Sequence, residues 1–193
     1  MKRIAVLASG SGTNARRLTE HFHAGDLARV GLIGCDRPGA GVLQRAWDLG
    51  VPAYLFNGTA LADGTVLREL QGQGIDLVVL AGFLRLVPPA MVRAFPGRIV
   101  NIHPALLPKY GGKGMYGAHV HRAVIAAGET ESGITIHHVN ERYDEGDHLF
   151  QARCPVRPGD TPERLAERVH ALEHAHYPRV VEDLIKALPP APR

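Results

Sequence analysis

Asn101, His103 and Asp144 are the residues of this chain whose types and spacing suit chemistry. The first two lie in the block Asn101-Ile102-His103-Pro104-Ala105-Leu106-Leu107-Pro108, and the third follows later in Tyr143-Asp144-Glu145-Gly146. An amide can donate to an oxygen that gains negative charge, and an imidazole with an ordinary pKa of about 6.5 exchanges protons near neutrality. A carboxylate can orient that imidazole or accept a proton through water. Together they suit acyl-type transfer without a metal or a covalent intermediate. Alone, His103 would tie down a loop and Asn101 would make an Asx turn. The three together, flanked by Pro104 and Pro108, favour the chemical reading.

Arg98-Ile99-Val100 is a short β-branched run that breaks at Asn101 and then meets prolines. It reads as a buried strand ending in a rigid, non-helical loop. Residues beyond the carboxyl end of such a strand sit where ligands bind in open α/β sheets. Asn101 and His103 are two apart and so can face one way.

The rest of the chain supplies the frame. Strands are expected at Ile4 to Ala8, Val30 to Cys35, Pro52 to Phe56, Leu77 to Ala81 and Arg98 to Val100, with helices near 14–23, 40–49, 62–72 and 88–94. That alternation implies right-handed βαβ units around a parallel sheet. After a long loop at 103–116, a helix from Gly117 to Ala127 stops at Gly128. Strands at Gly133 to Val139 and Leu149 to Val156 flank the polar loop carrying Asp144. Asp160-Thr161-Pro162-Glu163 opens the last helix. Pro178 should end or kink it, leaving a second piece to about Leu188 and a loose tail from Pro189 to Arg193. The expected class is α/β: a Rossmann-like open, mostly parallel twisted sheet with helices on both faces and a mixed C-terminal extension.

Between the first strand and helix lies Ser9-Gly10-Ser11-Gly12-Thr13-Asn14. Its glycines permit a tight turn, and consecutive amides at a helix N-terminus can hold a phosphate. Gly10, Gly12 and Ala15 also satisfy the loose dinucleotide fingerprint, with Asp36 near the place of a ribose-binding carboxylate. The first forty residues therefore leave a nicotinamide-dependent oxidoreductase open, but that reading gives Asn101, His103 and Asp144 nothing to do.

From Met1 to about Leu188 the chain resembles the folate-dependent formyltransferases. The resemblance rests on Ala8-Ser9-Gly10-Ser11-Gly12-Thr13-Asn14, Leu80-Ala81-Gly82-Phe83-Leu84-Arg85, Asn101 to Pro108, Ser132 to His137, Asp144-Glu145-Gly146 and Glu173-His174. It implies one domain over 1–188, with a phosphate-binding half at 1–100 and a catalytic and folate-binding half at 101–188. It implies transfer of a formyl group from 10-formyltetrahydrofolate to the amine of glycinamide ribonucleotide, with Asn101, His103 and Asp144 catalytic. Gly12, Thr13 and Asn14 would hold the substrate phosphate and Glu173 the ribonucleotide. Leu84, Arg85 and Val87 would line the folate site with Val139, Asn140, Glu141, Arg142 and Tyr143. A formyl-folate hydrolase sharing the Asn-His-Asp set is the near alternative; a methionyl-tRNA formylating relative is disfavoured for want of a further domain and a basic RNA surface.

Three departures from the family pattern stand out: the glycine-rich stretch Lys109 to Gly117, read as a lid, Asp147-His148 after Gly146, and Asp63 where an arginine could hold the folate tail. Composition excludes little more. Over 193 residues, 45% hydrophobic and 21% charged suit a globular domain, and a net charge of +3 without basic runs fits an anionic small molecule better than nucleic acid. Two cysteines argue against a disulfide framework, and no apolar stretch is long enough to span a membrane, so a cytoplasmic monomer or homodimer is expected. Eleven histidines invite a metal, yet His170 and His174 lack the glutamate of the zincin pattern, and none is expected; His119 and His121 are assigned to closing the lid.

Overall fold

A computed structural model describes residues 1–189 as a single sheet of seven strands. Five are parallel: β1 (Lys2–Ala8), β2 (Ala28–Cys35), β3 (Ala53–Leu55), β4 (Leu77–Leu80) and β5 (Ile99–His103). Strand β6 (Glu131–His138) runs antiparallel to β5, and β7 (His148–Pro155) antiparallel to β6, giving the order β3-β2-β1-β4-β5-β6-β7. This is the expected class, with the mixed extension joined to the same sheet. The tail expected to be loose falls mostly on 190–193, outside the described residues; the carbonyl of Pro189 accepts from Lys2 Nζ at 2.6 Å.

Alternation along β1 explains the two-sided cover. Ile4, Val6 and Ala8 join a core with α1 (Thr13–His23), α2 (Gly41–Asp48), α6 (Ala118–Ala126) and α7 (Pro162–Ala187). Ala5 and Leu7 face the opposite core, under α3 (Gly58–Ala62), α4 (Thr65–Gly72) and α5 (Pro89–Ala94). A parallel sheet buried on both faces needs such apolar runs.

Three elements depart from expectation. Strand β5 does not stop at Val100 but continues through His103, so Asn101 and His103 are its last inward positions rather than loop residues. The helix expected at 62–72 is two helices, because Gly64 at φ 82° breaks the path and Asn57 caps the first by accepting from the Ala60 amide. Finally, α7 is one helix of 26 residues with Pro178 inside it. Tyr177, Pro178 and Val181 are buried there, and that packing offsets the hydrogen bond the proline cannot make.

The order places β1 beside β4, where successive connections leave for opposite directions. Ligands bind outside the carboxyl ends at such a switch point. The turn after β1 and the segment after β4 open there together, joined by the Ser9 amide donating to Gly82 O at 3.0 Å.

Candidate active site

Antiparallel pairing of β5 with β6 sets Asn101 opposite His137 and His103 opposite Thr135. The loop between β6 and β7 then brings Asp144 over both strand ends. Asp144 Oδ2 lies 3.5 Å from His103 Nδ1, and its Oδ1 lies 3.5 Å from His137 Nε2 and 3.4 Å from Asn101 Nδ2. The three residues singled out in the sequence therefore meet at one carboxylate, with His137 as a fourth member. The Gly112 amide donates to Oδ2 at 2.9 Å, so the glycine-rich stretch is tied to the site at that point. Gly146 makes this approach possible, because a Cβ there would lie 1.7 Å from His138 O.

Each imidazole is oriented by a backbone carbonyl. His103 Nε2 donates to Tyr110 O at 2.7 Å, and His137 Nδ1 donates to His138 O at 2.8 Å. Their remaining nitrogens, Nδ1 and Nε2, face Asp144. When both rings are neutral, two lone pairs point at the carboxylate; one proton on either ring turns repulsion into a charge-assisted hydrogen bond. Burial lowers the His103 pKa against the opposing effects of Asp144 and Tyr110 O; the ring is 3% exposed. Burial pushes the Asp144 carboxyl up, but His137, His103 and the Gly112 amide together hold it below the usual range. Asp147 and His148, the departure from the family pattern after Gly146, are exposed, and neither is among those causes.

At the other end of the cleft, α1 starts from Gly12 at φ 80°, where a Cβ would also meet Val42 Cγ2 at 2.5 Å. Only glycine fits that turn, which opens the free amides of the first helical turn to the cavity. No acidic residue occupies that turn to compete for them. Asn14 Nδ2 donates to Glu173 Oε2 at 2.8 Å, bringing α7 to the same corner. Burial raises the Glu173 carboxyl.

Between these ends lies a cavity of about 620 Å³, within the range of small-molecule sites. Thr13, Glu173, His103 and Asp144 share its wall. So do Leu84, Arg85, Val87, Val139, Arg142 and Tyr143. Asn140 and Glu141 do not: the Asn140 side chain accepts from the Arg142 amide, and Glu141 pairs with Arg93 on the surface. Asp63 is exposed at the end of α3 and accepts from the Thr65 amide.

Asp36 is not available to a ribose. It is 6% exposed, with Oδ1 accepting from Ser9 Oγ at 2.6 Å and Oδ2 paired with Arg85 Nε at 2.6 Å. Ser9 Oγ in turn accepts from the Leu84 amide. The carboxylate that the dinucleotide reading needed is instead an anchor for the segment after β4.

The sequence profile of the formyl transferase family matches residues 2–181. The chain belongs to the formyl transferase family. It is 43% identical over 187 residues to the chloroplastic phosphoribosylglycinamide formyltransferase of Arabidopsis thaliana, covering 93% of this chain and 64% of the relative. It is 36% identical to the phosphoribosylglycinamide formyltransferase of Haemophilus influenzae, covering 94% and 86%. Among solved structures, glycinamide ribonucleotide transformylase 1 from Geobacillus kaustophilus superposes with a TM-score of 0.87 at 43% identity, covering 96% and 99%. The chain thus spans less than two thirds of the plant relative's length.

In this member of the family, His137, Tyr110 O and the Gly112 amide join the site without having been marked by the sequence. For His137, only the strand pairing that sets it against Asn101 reveals it. Of the two histidines given to the lid, His119 is exposed and edge-on to Tyr116, whereas His121 is buried on the cavity wall.

Proposed function

We propose that this chain moves the formyl group of 10-formyltetrahydrofolate onto the amine of glycinamide ribonucleotide, yielding formylglycinamide ribonucleotide and tetrahydrofolate in purine synthesis. The observation that carries the reading is the convergence of Asn101, His103 and Asp144 on the cavity that the α1 amides enter. The names of the relatives agree with it. Amides of Gly12, Thr13 and Asn14 take the phosphate, and Glu173 accepts from the ribose hydroxyls. The folate lies between Leu84, Arg85 and Val87 on one side and Val139, Arg142 and Tyr143 on the other, with Asn140 and Glu141 shaping the second loop.

The amine attacks the formyl carbon and its carbonyl oxygen becomes an oxyanion. Asn101 Nδ2 carries two hydrogens; one serves the Asp144–His137 edge and the other the oxyanion. His103 keeps Nε2 on Tyr110 O, so Nδ1 is the nitrogen that presents a proton. At 3.5 Å its contact with Asp144 is loose enough to yield to substrate. Asp144 takes a proton from the attacking nitrogen through water and returns it to N10 of the folate as the C–N10 bond breaks. The product amide keeps the formyl group, and the folate nitrogen gains the hydrogen.

No helix among the described residues is long and apolar enough to cross a membrane. The reading takes the work to be cytoplasmic, by a monomer or homodimer without nucleic acid, which two buried unpaired cysteines and the absence of basic runs support. The test is formyl transfer followed by the folate absorbance, with and without glycinamide ribonucleotide. Turnover that requires the acceptor is expected. Turnover without it would make the chain a formyl-folate hydrolase, and none at all would end the reading.

A further inference from the structure

Among the described residues, Tyr110 at φ 58° and Asp144 at φ 55° are the non-glycine residues with positive φ, and they hold the two nitrogens of one ring, His103. Left-handed backbone is uncommon for an L residue, more so for a bulky aromatic one, and persists only where the surroundings enforce it. Asp144 is fixed by the Gly112 amide and by His137. Tyr110 is fixed from elsewhere. Its phenol donates to Glu129 Oε1 at 2.8 Å, and Lys109 Nζ donates to the same oxygen at 2.8 Å. Glu129 follows the end of α6, its own amide directed to Val124 O at 3.3 Å. One carboxylate just past the end of α6 therefore accepts from two successive residues, the second of which turns its carbonyl to His103.

We propose that Glu129 is a positioning residue for His103, acting through Tyr110. Released from Glu129, the Tyr110 backbone relaxes out of the left-handed region and its carbonyl leaves His103 Nε2. The neutral ring then loses what keeps its proton on Nε2 and can carry it on Nδ1 instead, against Asp144. The protonated ring loses an acceptor as well, so its titration moves to lower pH. The other ionisable groups near this ring are Asp144 on the loop after β6, His137 on β6 and His121 on α6, and the Glu129 clamp leaves all three in place. The rate consequence rests on the formyl transfer proposed above; the ring's tautomer and titration do not.

The experiment compares Glu129→Ala, Glu129→Gln, Tyr110→Phe and Lys109→Ala with the wild-type chain, reading kcat, both KM values and the His103 ring nitrogens by NMR. Glu129→Ala and Tyr110→Phe are expected to lower kcat about tenfold, as loss of one supporting hydrogen bond would, with each KM within about twofold. In both, the His103 midpoint falls and its neutral form shifts toward Nδ1–H. Glu129→Gln, whose amide oxygen still accepts from the phenol, retains most of kcat, and Lys109→Ala behaves as wild type. Unaltered His103 nitrogens in Tyr110→Phe and Glu129→Ala would overturn the proposal whatever the rates. So would an equal loss in Lys109→Ala, which would assign the effect to the exposed ion pair. If Glu129→Ala fails to fold, Tyr110→Phe decides, and if the wild type transfers no formyl group, the NMR result decides alone.

Discussion

Asp144 Oδ1 lies 3.5 Å from Nε2 of His137, whose other nitrogen is committed to the carbonyl of His138. Burial pushes the Asp144 carboxyl up, and the hydrogen bond from His137 leads the effects that bring it down. In His137→Ala that support is gone and Asp144 titrates higher. A reaction that needs the ionised carboxylate then fails sooner as pH falls. The acid limb of kcat should move to higher pH, with a rate at neutral pH roughly 10- to 100-fold lower. An acid limb that stays in place would detach His137 from Asp144.

What the sequence shows of this site depends on the range of each cue. Asn101 and His103 were legible because a β-branched run gives way to polar residues and prolines within a few positions. The exact end of β5 was not, since Ile102 between them is buried and prolongs the strand. His137 was hidden because antiparallel pairing is a relation between segments far apart in sequence. Pro178 misled for the opposite reason: its local cost is real, but burial along α7 decides. The anchoring of Arg85 by Asp36 likewise joins two strand ends that the sequence cannot juxtapose.

Losing the donor or the carboxylate at the centre should cost rate and spare the fold. In the proposed transfer, His103→Ala removes the nitrogen that would present a proton to the oxyanion, and Asp144→Asn keeps the shape but neither charge nor basicity. Each is expected to lose about 100- to 1000-fold in kcat, the scale of one oxyanion donor. Circular dichroism and the unfolding midpoint should stay near wild type. Near-normal turnover in either variant would remove that residue from the reaction.

Asp36 offers a separate handle on the folate site proposed above. Its carboxylate is buried, while Arg85 is half-exposed, so solvent screens the pair and little of a buried ion pair's worth applies. Asp36→Ala frees both Ser9 Oγ and the Arg85 guanidinium, loosening the Leu84–Arg85 segment. The KM for formyl-folate should rise about fivefold, equivalent to roughly 1 kcal/mol, with the ribonucleotide KM unchanged. A matching rise in both constants would show that Asp36 supports the whole cleft instead.

Acid should destabilise the fold first through its histidines. His121 is buried, its Nδ1 has no partner among the described residues, and burial, followed by the charges of His170 and His103, brings its pKa from 6.5 to about 4. The folded value lies below the unfolded one, so His121 contributes stability that is complete above pH about 6.5 and is lost as pH falls toward 4. His103 and His174 are lowered as well and act in the same direction. Asp144, held below its ordinary value, adds a loss only at still lower pH. The His121 contribution is at most roughly 3 kcal/mol, and relaxation around the charged ring reduces it. Denaturant unfolding at pH 7 and pH 4.5 should therefore show a smaller difference in His121→Leu than in wild type, by about 1–2 kcal/mol. Parallel losses in the two proteins would place the acid sensitivity elsewhere.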